Sequence, residues 1–539
     1  MTKLFVIEAF GKLDKLREIL SEIYDEPFEL FATKGRLYDL PEGKIGLDLS
    51  SKSLTEVPVS EYRINKLLEK LKRASEVYIA TDNDIEGEKI ALDVAKLSKG
   101  LTPYKRICFP SLSVSTLREA IDKPRSIDHY MVEAAKSKRF MDRYLGYSDS
   151  EVKANTGRVV SPVLAVASEE KQKTGVLAKT VKINREEFQL LVDLYGSTPA
   201  EVMDAARMLD TIEVGDQLAG SVIATTTKED TASLWNGKQA LLNISAALNM
   251  PLKDVEQHLQ ELYEAGRISY PRSDLNSVSK ESALQVERTA QHWSIQNCSH
   301  EQILAKGESE MLKNKHIVQE GHEAIVPLDL EVNPFTKLED LSPQDRVYSV
   351  LLRHSLRVAK ANQVITKSEV SNVEVLEREL KNKLRREDIH LKIIQRKAHV
   401  IGMMTSAPMY PEFMPCGIKK YDKAGSVKVR VIPKDQVVAK ILYKNGLGRP
   451  STFAYHAEKI SKKFFKNDGT LNHRGENALR NTKRSIPELV KISSYHHLEN
   501  NFMSSEKGYE EKIDLALQIL GVDRQDNQGD KDQSIELNI

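Results

Sequence analysis

The sequence predicts a multidomain protein, α/β at its start, with helical and β-rich domains behind it. Three observations predict this class. At 539 residues the chain is too long for one hydrophobic core, so it should split into roughly three or four domains. The start of the chain alternates strand and helix patterns, with acids crowded into one turn. Farther on, two Val/Ile-rich stretches enclose a helical one, which implies nested domains.

Taken in order, "KLFVIEA" reads as a strand, "LDKLREILSEIY" as an amphipathic helix, and "SEVYIA" as a second strand ending at Thr81. Acids follow at once, and "GEKIALDVAKLSKG" is then helical and stops at Gly100. Strand, acidic turn, helix is the layout that puts functional groups at the carboxyl ends of parallel strands. From about 126 to 170 the pattern is helical and basic. It becomes strand-like from about 185 to 228 ("EFQLLVDLYG", "GSVIATTT") and again from about 369 to 435 ("HLKIIQRKAHVIG", "SVKVRVI"). Between these lie two helices, "GKQALLNISAALN" and "PLKDVEQHLQELYEAG", with Pro251 expected at the first helical position. Val255, Leu259 and Leu262 recur at helical spacing, and Gly266 reads as the C-terminal cap. That leaves "RISY" as a short strand with Tyr270 at its end. The pattern divides the chain into 1–125 (α/β), 126–184 with 436–518 (helical), 185–228 with 369–435 (β-rich) and 229–368 (helical, bearing Tyr270). The acidic, aromatic-free tail, 519–539, is expected to be disordered.

An apolar content of 40% and a charged content of 29% are ordinary for a soluble globular protein. No apolar run nears the ~20 residues needed to span a bilayer, and "MTKLFVIEAFGK" is too short and too soon polar for a signal peptide. Cys108, Cys298 and Cys416 lie far apart without a CxxC pair, so neither a disulfide framework nor a zinc ribbon is expected; a reducing, cytoplasmic compartment follows. The net charge of +1 neither demands nor excludes a polyanion. Residues 381–397 carry seven Lys/Arg against two acids, and 458–491 carry nine against four. Such patches suit a DNA-tracking groove, and they equally suit solvated helix faces.

"ATDNDIEGEKIA" holds Asp82, Asp84, Glu86 and Glu88. Residues two apart in extended chain point the same way, so Asp82 and Asp84 can converge past the strand end, with Glu86 opening the helix. Hard carboxylate oxygens at that density suit Mg²⁺. Two blander readings stand beside it. Acids at a helix N-terminus are favoured by the macrodipole, which accounts for Glu86 and Glu88 but not for the two aspartates. "DNDIEG" also matches part of an EF-hand loop, although a strand precedes it where an EF-hand needs a helix.

In "GRISYPRSD", Tyr270 taken alone reads as a packing aromatic. Arg272, two residues on, changes the chemistry available. A phenol titrates near ~10, so a nucleophilic tyrosine needs a cation or base to favour the phenolate.

These stretches together carry a family resemblance. The chain resembles a type IA DNA topoisomerase through most of its length. "ATDNDIEGEKIA" is similar to that family's Toprim acidic motif, "LYEAGRISYPRSD" to its tyrosine motif, and "FVIEAFGK" to the opening that supplies Glu8 and Lys12. "KRFMDRYLGY", "TGRVVSP", "EGHEAIVP" and "GLGRPSTFA" follow in the family's order. Departures are Ser111 where a glutamate is usual, Val160 for a glutamine and Val326 for an arginine, and the C-terminal zinc ribbons of many relatives are absent.

The resemblance implies a torus of a Toprim domain (1–125), a helical DNA-binding domain, a β-rich hinge and a helical domain carrying the catalytic tyrosine. It implies that Tyr270 attacks a phosphodiester of single-stranded DNA to give a 5′-phosphotyrosine, with Arg272 stabilising charge, Lys12 holding the phosphate and Glu8 moving the proton. Asp82, Asp84, Glu86 and Glu8 would hold Mg²⁺, and Arg139, Arg143, Arg158, His322, Arg449 and Ser451 would contact DNA. No GxxxxGK[ST] loop occurs, in keeping with no requirement for ATP; a monomer with no membrane partner is expected. Rival readings are a primase- or nuclease-like Toprim protein, a helix-turn-helix binder (whose second helix, with Asp254, Glu256 and Glu261, is too acidic for a groove), and a degenerate paralogue that binds single strands without turnover.

Overall fold

The computed structural model describes residues 2–522 except 110, 148–156, 184–185, 213–222, 230, 296, 314–322, 361–363, 372 and 399–422. His322 and the tail from 523 onward lie outside the described residues.

The chain opens on a four-stranded parallel sheet, ordered Phe28–Ala32, Thr2–Ile7, Ala74–Ile79, Tyr104–Arg106. Its strands are apolar on both faces because helices cover both. Leu4, Val6, Val77 and Ile79 pack on one side against Leu67, Leu71, Ile90 and Val94. Phe5, Ile7 and Tyr78 pack on the other against Leu16, Ile19 and Leu117. Helix Ile85–Ser98 therefore starts directly above the carboxyl end of the Ala74–Ile79 strand, which brings the acidic turn to the sheet's active edge.

A second, seven-stranded antiparallel sheet runs in the order Ile223–Glu229, Val364–Val370, Ile389–Ala398, Glu186–Tyr195, Lys173–Ile183, Val427–Val431, Lys423–Ala424. Strand Lys173–Ile183 belongs to it, although the sequence pattern groups 173–184 with the helical segment. Helix Pro199–Asp210, which the strand-like reading of 185–228 passes over, packs on the sheet with helix Glu374–Leu384. Its start is explicit: Thr198 and Glu201 form a reciprocal capping box, with Pro199 in the first turn.

The Tyr270-bearing segment folds as helices Gly237–Leu248, Leu252–Glu264, Lys280–His292, His300–Lys313 and Pro343–Ala359. They share one core with the returning helices Lys434–Lys444 and Phe453–Phe464. Pro251 is the N-cap, one position before the first helical residue. Gly266 has φ +73° and donates to Tyr263, while Arg267 N–H reaches the Leu262 carbonyl, closing the helix in a left-handed cap. "RISY" is not a regular strand. It forms one bridge, Ile268 to Pro327, flanked by bonds from Ser269 to Val326 and from Leu328 to Arg267. Helix His129–Tyr147 packs on Ile492–Met503 and Tyr509–Ile519, so the last helices return to the early part of the chain. No described helix is long and apolar enough to cross a membrane.

Candidate active site

The acidic turn is frozen by buried hydrogen bonds. Thr81 Oγ1 donates to the Gly87 carbonyl at 2.7 Å, and a side chain at Gly87 would meet the Asp82 carbonyl oxygen at 2.0 Å. Arg106, 1% exposed, donates to the carbonyls of Thr81 and Asp82 at 2.7 and 2.9 Å and grips the buried Glu88 carboxylate at 2.6 Å. Arg125 also binds Glu88, at 2.5 Å, and Asn83 at 2.7 Å. Glu88 is thus a structural counter-ion.

Asp84 is the N-cap of the helix, its Oδ1 accepting from Gly87 N–H at 2.8 Å. Its other oxygen, Oδ2, accepts from the Tyr270 hydroxyl at 3.1 Å. The strand before the turn and this cap exclude the EF-hand reading. Tyr270 is a core aromatic, packed edge-to-face on Tyr263 with centroids 5.3 Å apart, and its polar tip still reaches the acids across the seam between two parts of the chain.

Lys12, from the turn after the first strand, is buried and bonds Asp82; its ammonium lies 4.6 Å from the Tyr263 ring centroid. Burial works against its charge, but Asp82, Tyr263 and Glu8 outweigh that and hold the ammonium above its ordinary value. Glu8 is pushed up to about 8 by burial and then by Asp82 and Asp84, with Lys12 and Arg272 opposing. Its carboxyl is therefore a proton donor at neutral pH. Burial, followed by Asp84 and Asp82, raises Tyr270 well above an ordinary phenol despite Arg272. At rest the Tyr270 side chain is the neutral phenol. Arg272 is charged because Tyr270, Glu256, Asp82 and Asp84 outweigh its own burial. Its buried Nε has no hydrogen-bond partner among the described residues, which leaves a donor free for an anion.

The seam is shut. Between Asp82, Asn83, Phe109, Tyr263 and Tyr270 the remaining space is about 10 Å³, at most one water. A phosphodiester needs the two sides to part. A wider cleft of about 380 Å³ lies farther along, between Lys15, the 111–116 turn and helix Lys280–His292. Ser111 lines it and shares hydrogen bonds with Thr116, while Val326 is wholly buried beside Ser269. Val160 begins helix Val160–Glu169.

Glu86 departs from the other acids. Both its oxygens are taken by Arg36, Nε at 2.6 Å and Nη2 at 2.7 Å. Among the described residues no three acid, His or Cys side chains form a ready-made metal site. Asp82 and Asp84 lie close enough to Glu8 to raise it after burial, but Lys12 already pairs with Asp82 and Tyr270 with Asp84, so a divalent cation there would have to displace those partners.

The expected DNA contacts are engaged within the chain. Arg139 binds Asp39 at 2.8 Å, and Arg143 donates to the carbonyls of Pro41 and Lys44 at 3.2 and 3.0 Å. Arg158 bonds Asp142 at 2.8 and 3.0 Å and also Glu499, which Lys138 reaches at 2.9 Å and Arg449 at 3.3 Å. Burial, then Arg449, depresses the Lys138 ammonium to about 7. Ser451 lies in the one-turn helix Pro450–Thr452. Sequence reasoning passed over Arg36, Arg106, Arg125, Tyr263 and Glu499. Only Tyr263, within "LYEAG", carried a local signal, its helical spacing from Leu259.

Comparison with known proteins follows the same lines. A DNA topoisomerase family model matches residues 126–515, and a Toprim domain model matches 3–112. The chain is 28% identical over 380 residues to DNA topoisomerase 1 of Thermotoga maritima, covering 66% of this chain and 57% of that one. It is 25% identical over 394 residues to DNA topoisomerase 1 of Helicobacter pylori strain 26695, covering 66% and 52%. With the Aquifex aeolicus DNA topoisomerase 1 it shares 25% over 481 residues, 84% and 85% of the two chains. The chain thus spans little more than half the length of the first two relatives. Full-length topoisomerase I from Thermotoga maritima has a similar fold, with a TM-score of 0.64 at 18% identity, covering 96% of this chain and 89% of that one.

Proposed function

The chain belongs to the type IA DNA topoisomerases, and from that premise we propose that it is an ATP-independent DNA isomerase. It cuts one DNA strand through a 5′-phosphotyrosine, passes another strand and rejoins the cut, relaxing negatively supercoiled DNA or decatenating it. The observation that carries this reading is the Tyr270 hydroxyl on Asp84 at 3.1 Å, brought there from the far side of the seam. The substrate is a single-stranded segment, and the protein works on it as a monomer in the cytoplasm.

Entry of that strand requires the Tyr270-bearing helices (229–368) to part from the Toprim domain (1–125), with the β-rich region as hinge. Tyr270 Oη then attacks phosphorus, and the bond to the 3′-oxygen breaks as the new P–O bond forms. Asp84 Oδ2, which already accepts the phenolic hydrogen, is placed to take that proton. Glu8 is protonated at neutral pH and gives its proton to the leaving 3′-oxygen. Arg272 offsets charge on the phosphoryl oxygens, and Lys12 holds the phosphate as a point charge. Rejoining reverses each transfer, and the phosphotyrosine keeps the bond's energy, so ATP has no step to drive. Mg²⁺ held by Asp82 and Asp84, with Glu8 at hand and Glu86 close by, would neutralise charge beside the phosphate and favour rejoining.

Arg139, Arg143, Arg158, His322, Arg449 and Ser451 are proposed to line the strand's path. Arg158 and Arg449 reach Glu499 together with Lys138, whose ammonium is depressed to about 7, so an incoming phosphate would have to compete with Glu499 and Asp142 for them. Binding without turnover is the less favoured reading, because nucleophile, proton donor and both cations meet at one seam.

The test incubates the protein with end-labelled single-stranded oligonucleotide and denatures it. A covalent adduct that is lost in Tyr270→Phe is expected. An adduct unchanged in that variant, or none in the parent, contradicts the assignment.

A further inference from the structure

We propose that helices Phe453–Phe464 and His473–Ser485 present a second DNA-binding face, one that takes the sugar-phosphate backbone of duplex DNA beside the single-stranded segment. It goes beyond the cleavage reaction above and uses none of its catalytic residues. The stretches 381–397 and 458–491 are both basic in sequence, and the fold treats them differently. In 381–397, Lys381, Lys383 and Arg386 each meet a glutamate: Glu377 at 3.0 Å, Glu379 at 2.7 Å and Glu201 at 3.3 Å. In 458–491, Lys459 and Arg480 donate to neutral groups, the Tyr455 hydroxyl at 2.8 Å and Asn477 Oδ1 at 3.4 Å. Arg474 and Lys483 are exposed and form no ion pair among the described residues. Glu458 is taken by Lys462 and Asp468 by Thr470, which leaves Glu476 as the exposed acid of helix His473–Ser485.

The two helices are locked together at their junction. Asn472 caps the later helix, its Oδ1 accepting from Gly475 N–H at 3.0 Å, while its Nδ2 donates to the Lys463 carbonyl at 3.0 Å. A side chain at Gly475 would meet the Phe464 carbonyl oxygen at 2.7 Å, so this close approach requires glycine. Cations of both helices are thereby crowded: burial, then Lys459 and Arg474, lower the Lys463 ammonium. The apolar sides turn into the core through Phe453, Ala457, Ile460, Ala478 and Leu479. Opposite them, His473, Asn477, Arg480 and Arg484 fall at the spacing of one outward stripe. Like charges held this close repel, and a polyanion relieves them.

Place and chemistry select the occupant. Helix Phe453–Phe464 follows directly on Arg449 and Ser451, proposed above to line the strand's path, so its face continues that path for about 18 Å. Single-strand sites combine charge with stacking aromatics. Here Tyr455 is the one exposed Phe, Tyr or Trp of the two helices, and the Lys459 ammonium covers its ring at 5.1 Å. Charge without stacking surfaces suits phosphates held in the fixed geometry of a duplex.

The experiment follows fluorescence anisotropy of two labelled DNAs over a range of salt: a single-stranded oligonucleotide, and the same oligonucleotide extended by a hairpin duplex. The proteins are the full chain, its Lys459→Gln/Arg474→Gln/Arg480→Gln variant, and Lys381→Gln/Lys383→Gln as a control for lost charge. The parent should bind the tailed hairpin on the order of tenfold tighter than the single strand, with a steeper salt dependence. The triple variant should lose that excess, its log–log salt slope on the hairpin falling by roughly 2–3. Its affinity for the single strand and its Tyr270 adduct should stay at parent values, and the control should match the parent. Equal affinity of the parent for the two DNAs would overturn the proposal. So would an equal loss on both DNAs in the triple variant, which would give the face to single strands, an undiminished excess in that variant, or the same loss in the control. The three positions are exposed on helices, where glutamine is well tolerated. If the triple variant does not fold, Lys459→Gln/Arg480→Gln carries the same comparison. A parent that shows the excess yet forms no Tyr270 adduct would refute the proposed function and leave this inference standing.

Discussion

At the seam between the tyrosine-bearing helices and the Toprim domain, the Tyr270 hydroxyl reaches the acids through a hydrogen bond to Asp84, and the space around it is nearly closed. Around Glu499, by contrast, Lys138, Arg158 and Arg449 converge on a carboxylate only 13% exposed, with Asp142 completing the set. A hydrogen bond to a charged group contributes roughly 1.5–3 kcal/mol, a contact that can part and re-form. Removing the shared acid from a buried cluster leaves uncompensated cations and costs about 3–5 kcal/mol, so the second is fastened. The difference teaches where the proposed motion belongs: the seam would open, and the Glu499 cluster would hold helices His129–Tyr147 and Ile492–Met503 together while it does.

Experiments can break this contrast or sharpen it. The largest effect on stability is expected at the fastened site, where Glu499→Gln should lower unfolding free energy by about 3 kcal/mol in urea denaturation. Tyr270→Phe should cost about 1.5 kcal/mol in the same assay, the low end for a hydrogen bond to a charged group. Equal losses in the two variants would erase the distinction.

Gly87→Ala should fall between them. Its new methyl would sit 2.0 Å from the Asp82 carbonyl, and backbone cannot step aside as a side chain would, so a loss of roughly 2 kcal/mol is expected together with weakened adduct formation. Retention of full adduct formation would show that the acidic turn need not be rigid.

The remaining prediction concerns pH and is read as a slope. Glu8 has a folded-state value raised to about 8 from 4.5. Its burial therefore favours the protonated fold, and that stability is full below 4.5 and lost as pH rises through about 8. In metal-free protein, denaturation midpoints should fall between pH 5 and 8, and Glu8→Gln should flatten that slope. An identical slope in the variant would place the proton elsewhere.

Much of the site was legible because its chemistry is written locally. The strand, acidic turn and helix around Asp82 and Asp84, and the glycine-capped helix before Tyr270, each follow from adjacent residues. The Pro199 helix was missed, although "TPAEV" states a capping box, because the strand-like residues on either side masked it. The counter-ions were not legible. Arg36 meets Glu86 across 50 positions, and Arg158 meets Glu499 across 341, and no periodicity encodes such pairs. For the same reason Glu86 reads in sequence as one of a set of equal acids, whereas the fold gives each acid a different partner.

The central claim is that the Tyr270 oxygen, and no other, becomes bonded to DNA phosphorus beside Asp84. Mass spectrometry of the denatured, protease-digested adduct formed on single-stranded oligonucleotide tests it directly. The account predicts a nucleotide joined through its 5′-phosphate to Tyr270, with a free 3′-hydroxyl on the released fragment. A nucleotide carried by any other residue, or attached through a 3′-phosphate, would contradict it.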